Sequence, residues 1–290
     1  MLYRMTQEEK DRLRRFIEAA LAEDVGEGDH TTLSIIPPGK IGEAQLIIKE
    51  RGVLAGVEEA LAVFDQVDQG LHVSVFLEDG HEVQVGDVVL QVQGSIHSIL
   101  MAERLVLNIM QRMSGIATAT HRIAVALAGT PTKVLDTRKT TPLMRFLEKK
   151  AVSLGGGVNH RFGLYDMILI KDNHVDYAGG IKQAIEHANQ YRKTLDKPTA
   201  IEVEVRNLDE VAEALNVGGV DRIMLDNFSP DQVREAVTRI DGRFVTEASG
   251  GITEETVRQY ADAGVDYISI GALTHSVKSL DMSLKAKLIE

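Results

Sequence analysis

Cysteine is absent from the 290 residues, which excludes disulfides, thiolate metal sites and thiol nucleophiles. Excess positive charge is absent too. The chain sets 43 acidic residues against 32 lysines and arginines, a formal net charge of -11, so a nucleic-acid backbone is not an expected partner. No apolar run reaches the length that spans a bilayer, and the opening MLYRMTQEEKDRLRRFIEAALAEDVG has no signal-peptide core. The expectation is a cytoplasmic chain with no membrane partner. No strand candidate is followed by the glycine-rich dinucleotide fingerprint, which weakens a Rossmann reading.

What is present is ordinary globular composition, 44% hydrophobic and 26% charged, at a length that allows one large core or two modest ones. Thr6 and Glu9 form a capping-box pattern before Leu13, Phe16, Ile17, Ala20 and Leu21 at helical spacing. Gly28 to Thr32 and Pro37-Pro38-Gly39 break the chain ahead of a strand at Ala44 to Lys49. Helix is expected at Glu58 to Val67, strand at Leu71 to Leu77, and two short strands between Glu82 and Gln93 around Gly86-Asp87. The rhythm of EDGHEVQVGDVVLQVQG is that of a carrier-domain hairpin, but no lysine stands at its tip, so it reads as a packed hairpin. Ile99 to Ser114 is a long helix ending near Gly115, with Arg104 and Arg112 on it, and Ala117 to Leu127 is another.

After the Gly129 to Pro131 break the pattern repeats. Strand candidates at Thr132 to Leu135, Met167 to Ile170, Ala200 to Val205, Arg222 to Leu225, Phe244 to Glu247 and Tyr267 to Ile270 alternate with helical segments. Helix starts are signalled at Thr141-Pro142, Asn207 with Glu210, Ser229-Pro230 with Gln232, and Thr253 before Glu254 and Glu255. Parallel crossovers imply an α/β barrel or a doubly wound sheet, and six strands ending in polar residues fit an incomplete barrel better. The strands then deliver Asp136, Arg138 and Lys139; Lys171, Asp172 and Asn173; Glu202 and Glu204; Asp226 and Asn227; Glu247 and Ser249-Gly250-Gly251; and Gly271-Ala272 with His275 to one mouth.

The stretch from Thr132 to His174 inverts the sign of the chain, with Arg138, Lys139, Arg145, Lys149, Lys150, His160, Arg161, Lys171 and His174 against four carboxylates. A focused positive cleft gathers anions, whereas the bland alternative is a solvated basic face. Arg138 and Arg161 suit planar carboxylates, and Lys139 and Lys171 suit phosphates or proton donation. Ser249 to Gly251 and Gly271-Ala272 offer backbone N–H groups to a phosphate, or are merely tight turns. Glu204 and Asp226 suit Mg²⁺; Glu202 and Glu247 read as core or rim carboxylates paired with lysine. His160 lies between polar neighbours, as a ligand-facing or a structural histidine would.

The motifs DTRKTTP, GGGVNHRFGLYD, LIKDNH, EVEV, MLDN and SGG, with LAEDVGEGDHTT, AERLVLN, QRMSGIAT and GALTHS, together resemble the quinolinate phosphoribosyltransferase family over nearly the whole chain. The resemblance implies an N-terminal α/β sandwich domain at residues 1–115 and an open, incomplete α/β barrel at 116–276, with a C-terminal helix at 277–290 packing back on the sandwich. It implies a homodimer, or a higher oligomer, whose sites each take Arg104 from the neighbour. It assigns Arg138, His160 and Arg161 to the pyridine dicarboxylate quinolinate. Thr137, Lys139, Lys171, Glu204 and Asp226 fall to phosphoribosyl pyrophosphate and Mg²⁺, with Lys139, Lys171, Glu204 and Asp226 as the catalytic set. Ser249, Gly250, Gly251, Ile270, Gly271 and Ala272, beside His275, fall to the 5'-phosphate. One departure is visible: Leu143 stands after Thr141-Pro142 where the family usually has glycine.

Three other functions fit parts of the same pattern. A related phosphoribosyltransferase for another anionic ring, such as nicotinate, needs only one carboxylate gripped. A barrel aldolase would use Lys171 as a Schiff-base lysine. A silent metabolite-binding protein would keep the pocket without turnover.

Overall fold

The structure is a computed structural model that describes residues 5–287. Its elements run α1 (Gln7–Val25), α2 (His30–Ile35), β1 (Ile41–Ile48), β2 (Gly52–Val53), α3 (Val57–Val67), β3 (His72–Val75), β4 (Glu82–Val83), β5 (Val88–Ser95) and α4 (Ile96–Ala126). They continue as β6 (Lys133–Leu135), α5 (Arg145–Leu154), β7 (Ile168–Ile170), α6 (Asp172–Ala178), α7 (Ile181–Arg192), β8 (Ile201–Val205), α8 (Leu208–Val217) and β9 (Arg222–Asp226). The last are α9 (Pro230–Ile240), β10 (Val245–Ser249), α10 (Val257–Ala261), β11 (Tyr267–Ser269), α11 (Ala272–His275) and β12 (Met282–Lys287). Two compact units divide them. The first takes the described residues up to Ala119, Thr141–Gly155 and those from Val277 onward; the second takes Thr120–Thr140 and Gly156–Ser276.

In the first unit a sheet ordered β12-β1-β5-β3 buries Leu46, Ile48, Leu90 and Val92 with α3 and α4 residues Phe64, Met110 and Met113. The Thr6–Glu9 capping box opens α1, which sets Leu13 and Ile17 into this core. Asp29 accepts from Thr32 N at 3.0 Å and so turns part of the expected break into α2. The helix expected at 277–290 is instead β12 as far as it is described, with 288–290 outside the described residues. Buried Met282 and Leu284 alternate with Ser283, the period of a strand, and Leu46 pairs with Leu284. Gly115 does not end a helix either. It lies inside α4, where a Cβ would stand 2.2 Å from the Lys278 carbonyl oxygen, so the glycine permits close approach of two backbones. Helix α5 sends Leu147, Ala151 and Val152 into this same core, an excursion that cuts across a boundary drawn at 115/116.

The second unit holds a six-stranded parallel sheet in the order β6-β11-β10-β9-β8-β7, whose two ends, β6 and β7, have no pairing with each other among the described residues. Successive strands return through helices, as parallel crossovers require. Asn207 caps α8 by accepting from Asp209 N and Glu210 N, and Ser229 caps α9 in a reciprocal pair with Gln232 ahead of Pro230. Two expected starts come later: α5 begins at Arg145 after a turn at 142–144, and α10 at Val257 after a turn at 254–256. The register sets Glu204 of β8 and Glu247 of β10 on either side of Met224 in β9. Because side chains alternate along a strand, Glu202 and Glu204 share a face, as do Glu247 and Ser249. No described helix is long and apolar enough to cross a membrane.

Candidate active site

One cavity of about 870 Å³ opens at the C-terminal ends of the second unit's strands. Thr137, Arg138 and Lys139 reach it after β6; His160 and Arg161 from the loop before β7; Lys171 after β7; Glu204 from β8; and Asp226 from β9. Ser249, Gly250 and Gly251 follow from the β10 end, and Ile270, Gly271, Ala272 and His275 from the β11 end. Arg104 is not among the lining residues; it is exposed on α4. The lining also includes Asp172, Asn227 and Glu247, which the sequence delivers to this mouth without a substrate role, and Met224, Thr253 and Ser269, which it does not place there.

The cationic wall is built by local hydrogen bonding. Asp136 is fully buried and accepts from His160 N at 2.8 Å, tying the loop before β7 to the end of β6. Asp166 accepts from Phe162 N at 2.6 Å and Gly163 N at 2.8 Å and closes the next turn. Arg161, itself buried, donates from its guanidinium to Met167 O at 3.1 Å. Burial, then the neighbouring Arg138 cation, lower the pKa of Arg161, so two guanidiniums stand near each other at the cavity, with Glu202 and Asp166 opposing the shift. Such a pair fits an anion with two carboxylates.

In the same cavity Lys171 Nζ lies 3.1 Å from Glu204 Oε2, and the Lys171 N–H donates to His174 Nδ1 at 2.9 Å. Burial and then the Glu204 charge push the Asp226 carboxyl above its usual range, while Lys171 opposes them. Two carboxylates facing one half-buried space under one ammonium form a site for a cation with oxygen ligands or for developing positive charge.

Asn227 adopts a left-handed backbone, φ 57°, and donates from its side chain to Asp226 Oδ2 at 2.7 Å. Its neighbour must be glycine: a Cβ on Gly250, where φ is 97°, would stand 2.2 Å from Asn227 Oδ1. Gly250-Gly251 leads into the 254–256 turn rather than directly into α10, so it is the loop itself, through Ser249, Gly250, Gly251 and Thr253, that lines the cavity.

Behind His160 lies a carboxylate pair that sequence reasoning left as core. His160 Nε2 is 2.9 Å from Glu202 Oε2 and 3.5 Å from Glu247 Oε2, and Arg222 holds Glu247 at 2.7 Å. Against the effect of burial, contacts with Glu202 and Glu247 raise the His160 pKa, while the Arg161 N–H donated to Nδ1 opposes the second proton that a charged ring would carry. Burial, then Glu247, raise the Glu202 carboxyl.

Comparison with known proteins gives the family. Residues 116–285 match the family described as quinolinate phosphoribosyl transferase, C-terminal domain, and residues 29–114 match its N-terminal domain. The chain is 46% identical over 288 residues to quinolinate phosphoribosyltransferase [decarboxylating] 1 of Nicotiana glauca, covering 94% of this chain and 82% of that one. It is 42% identical over 276 residues to a probable nicotinate-nucleotide pyrophosphorylase [carboxylating] of Bacillus subtilis, covering 95% and 94%. A crystal structure of NadC from Streptococcus pyogenes superposes with a TM-score of 0.92 at 40% identity, covering all of both chains.

Proposed function

Because the chain belongs to the quinolinate phosphoribosyltransferase family, we infer that it joins quinolinate to phosphoribosyl pyrophosphate and releases nicotinate mononucleotide, CO₂ and pyrophosphate, a step of NAD biosynthesis. The observation that carries the reading is the cavity's division of labour. One set of lining residues, the Arg138–Arg161 pair, suits a dicarboxylate, and another, Lys171 with Glu204 and Asp226, suits a sugar phosphate.

The ring nitrogen of quinolinate bonds to ribose C1 as the bond from C1 to the pyrophosphate oxygen breaks. Positive charge then develops on the ribose, next to the Glu204 and Asp226 carboxylates, while Lys139 and Lys171 meet the negative charge of the departing group. Glycosylation makes the ring nitrogen cationic, so the bond to the adjacent carboxylate can break with its electrons drawn into the ring. CO₂ leaves and a proton takes its place on carbon. Holding the ring is the main demand on the protein, which the arginine wall meets without a nucleophile.

Mg²⁺ belongs to the same proposal. Glu204 and Asp226, two carboxylates lining one cavity, fit an ion that takes one or two carboxylates and fills the rest of its shell with water and substrate oxygens. When bound it would neutralise pyrophosphate oxygens. A homodimer in which Arg104 of one copy completes the site of another is also part of the proposal, supported by the exposure of Arg104 on α4. So is a cytoplasmic location, which rests on the sequence reading.

Mixing quinolinate, phosphoribosyl pyrophosphate and Mg²⁺ with the protein should release pyrophosphate and CO₂ in equal amounts. Nicotinate in place of quinolinate should give neither, and turnover of nicotinate with none of quinolinate would favour the related transferase. Arg161→Ala should raise the KM for quinolinate about 100-fold, the cost of a charge-assisted pair, and change that for phosphoribosyl pyrophosphate less than about threefold. Equal loss on both substrates in steady-state kinetics would contradict the carboxylate role.

A further inference from the structure

Glu202 and Glu247 are both fully buried, on strands β8 and β10 that flank β9. Two adjacent carboxylates without solvent are expensive, and apolar residues of like size would fill the same space. Their placement is therefore informative, and the third member of the cluster shows what it does. The ring of His160 is engaged at both nitrogens: Nδ1 accepts from the Arg161 backbone N–H at 2.7 Å, and Nε2 faces Glu202 at 2.9 Å with Glu247 behind.

That pair of contacts fixes the tautomer. In a neutral ring a nitrogen that accepts a hydrogen bond offers its lone pair, so the ring hydrogen stands on Nε2, the nitrogen on the side of the acid pair. It also decides against a metal ion among His160, Glu202 and Glu247, although their ligand atoms lie within 4.8 Å of one another. An ion there would need the Nε2 lone pair, which would drive the hydrogen to Nδ1 and against the Arg161 amide. Arg222, held 2.7 Å from Glu247, already supplies the cluster with a fixed cation, and its guanidinium is itself held over the Tyr267 ring at 4.7 Å.

Read outward, the contacts form one line of support. The acid pair orients the imidazole, the imidazole receives the Arg161 amide, and the Arg161 guanidinium, tied to Met167 O, stands in the cavity wall. We propose that Glu202 and Glu247 are positioning residues for the dicarboxylate: through the ring of His160 they hold Arg161 at the place and angle where it grips the substrate. His160 on this account serves substrate by orienting Arg161 rather than by lending it a nitrogen. The proposal rests on the function inferred above.

Glu202→Gln and Glu247→Gln keep shape and remove one charge each. In the full-length protein each should raise the KM for quinolinate and the equilibrium dissociation constant of pyridine-2,3-dicarboxylate about 10- to 100-fold, the scale expected for misplacing a binding group by about 1 Å. The KM for phosphoribosyl pyrophosphate should move less than about threefold. Ring ¹⁵N spectra, with His160 assigned by its loss in His160→Gln, should show the wild-type hydrogen on Nε2 and a bare Nδ1, and a mixture of tautomers in Glu202→Gln. Equal rises in both KM values, unchanged dicarboxylate binding in the two folded variants, a wild-type hydrogen on Nδ1, or a shift of Nε2 on adding Zn²⁺ would each overturn the proposal. The wild-type spectrum needs no variant to fold and no turnover. If the protein released no pyrophosphate at all, the inferred reaction would fall while the spectrum and dicarboxylate binding still judged the positioning role.

Discussion

Lys171→Met should lower kcat about 10²- to 10³-fold, the loss seen when one preorganised donor to developing charge is removed. Methionine keeps the length of the side chain and discards the ammonium. The effect has two parts that the structure joins. The leaving group loses a cation, and Glu204, whose Oε2 is 3.1 Å from Nζ and which is largely buried, loses the partner that offsets its charge beside Asp226. Lys171→Arg restores the charge but spreads it over a planar fork, so it should recover only part of the rate. Single-turnover measurements with saturating substrates separate this from weakened binding. A kcat within threefold of wild type would remove Lys171 from the chemistry. The same residue carries the Schiff-base alternative, and the two separate cleanly: borohydride with carbonyl substrates should trap nothing on Lys171, whose Nζ is engaged by Glu204 Oε2 at 3.1 Å.

The residues of this site were legible in the sequence because parallel βα units put polar side chains at strand ends, and the strand candidates fell where β6 to β11 lie. Alternation alone placed Glu202 and Glu204 on one face. What alternation cannot supply is register between strands. That Glu204 and Glu247 flank Met224, and that Arg222 reaches Glu247, follow from pairings of residues separated by twenty or more positions, so the acid pair behind His160 stayed hidden. Elsewhere local signals misled for definable reasons. Gly115 carried the mark of a helix end but answers to the Lys278 carbonyl, a contact distant in sequence. At the end of the chain Leu280, Met282, Leu284 and Ala286 alternate with polar residues, a strand period that the expected helix passed over and that pairing with β1 realises. The 141–155 segment follows a strand as any βα helix would, and no local pattern tells which core α5 joins.

Lys150→Met tests that helix attachment. Lys150 is buried on α5 with its Nζ 2.7 Å from Glu58 and 2.8 Å from Glu59, and 3.9 Å from Asp79. Burial by itself would lower its pKa; the Glu59 charge and the hydrogen bonds to Glu58 and Glu59 carry it above the ordinary lysine value. Burial raises the Glu59 and Asp79 carboxyls even with Lys150 present. Acids whose folded pKa is raised contribute stability that is full below the ordinary carboxylate range and is lost as pH climbs through the raised values. Without the ammonium those values climb further, so the variant must bury more uncompensated negative charge the higher the pH. The expected loss is about 3–5 kcal/mol at pH 7.5, the scale for breaking a buried ion pair, and clearly less at pH 5. Urea denaturation followed by circular dichroism at the two pH values measures it, tryptophan fluorescence being excluded in a chain with no tryptophan. Lys150→Met with Glu59→Gln should recover most of the deficit at pH 7.5, because an apolar and a neutral side chain then replace a broken pair. A loss independent of pH, or one that the second substitution leaves untouched, would mean that the methylene packing of Lys150 matters and its charge does not.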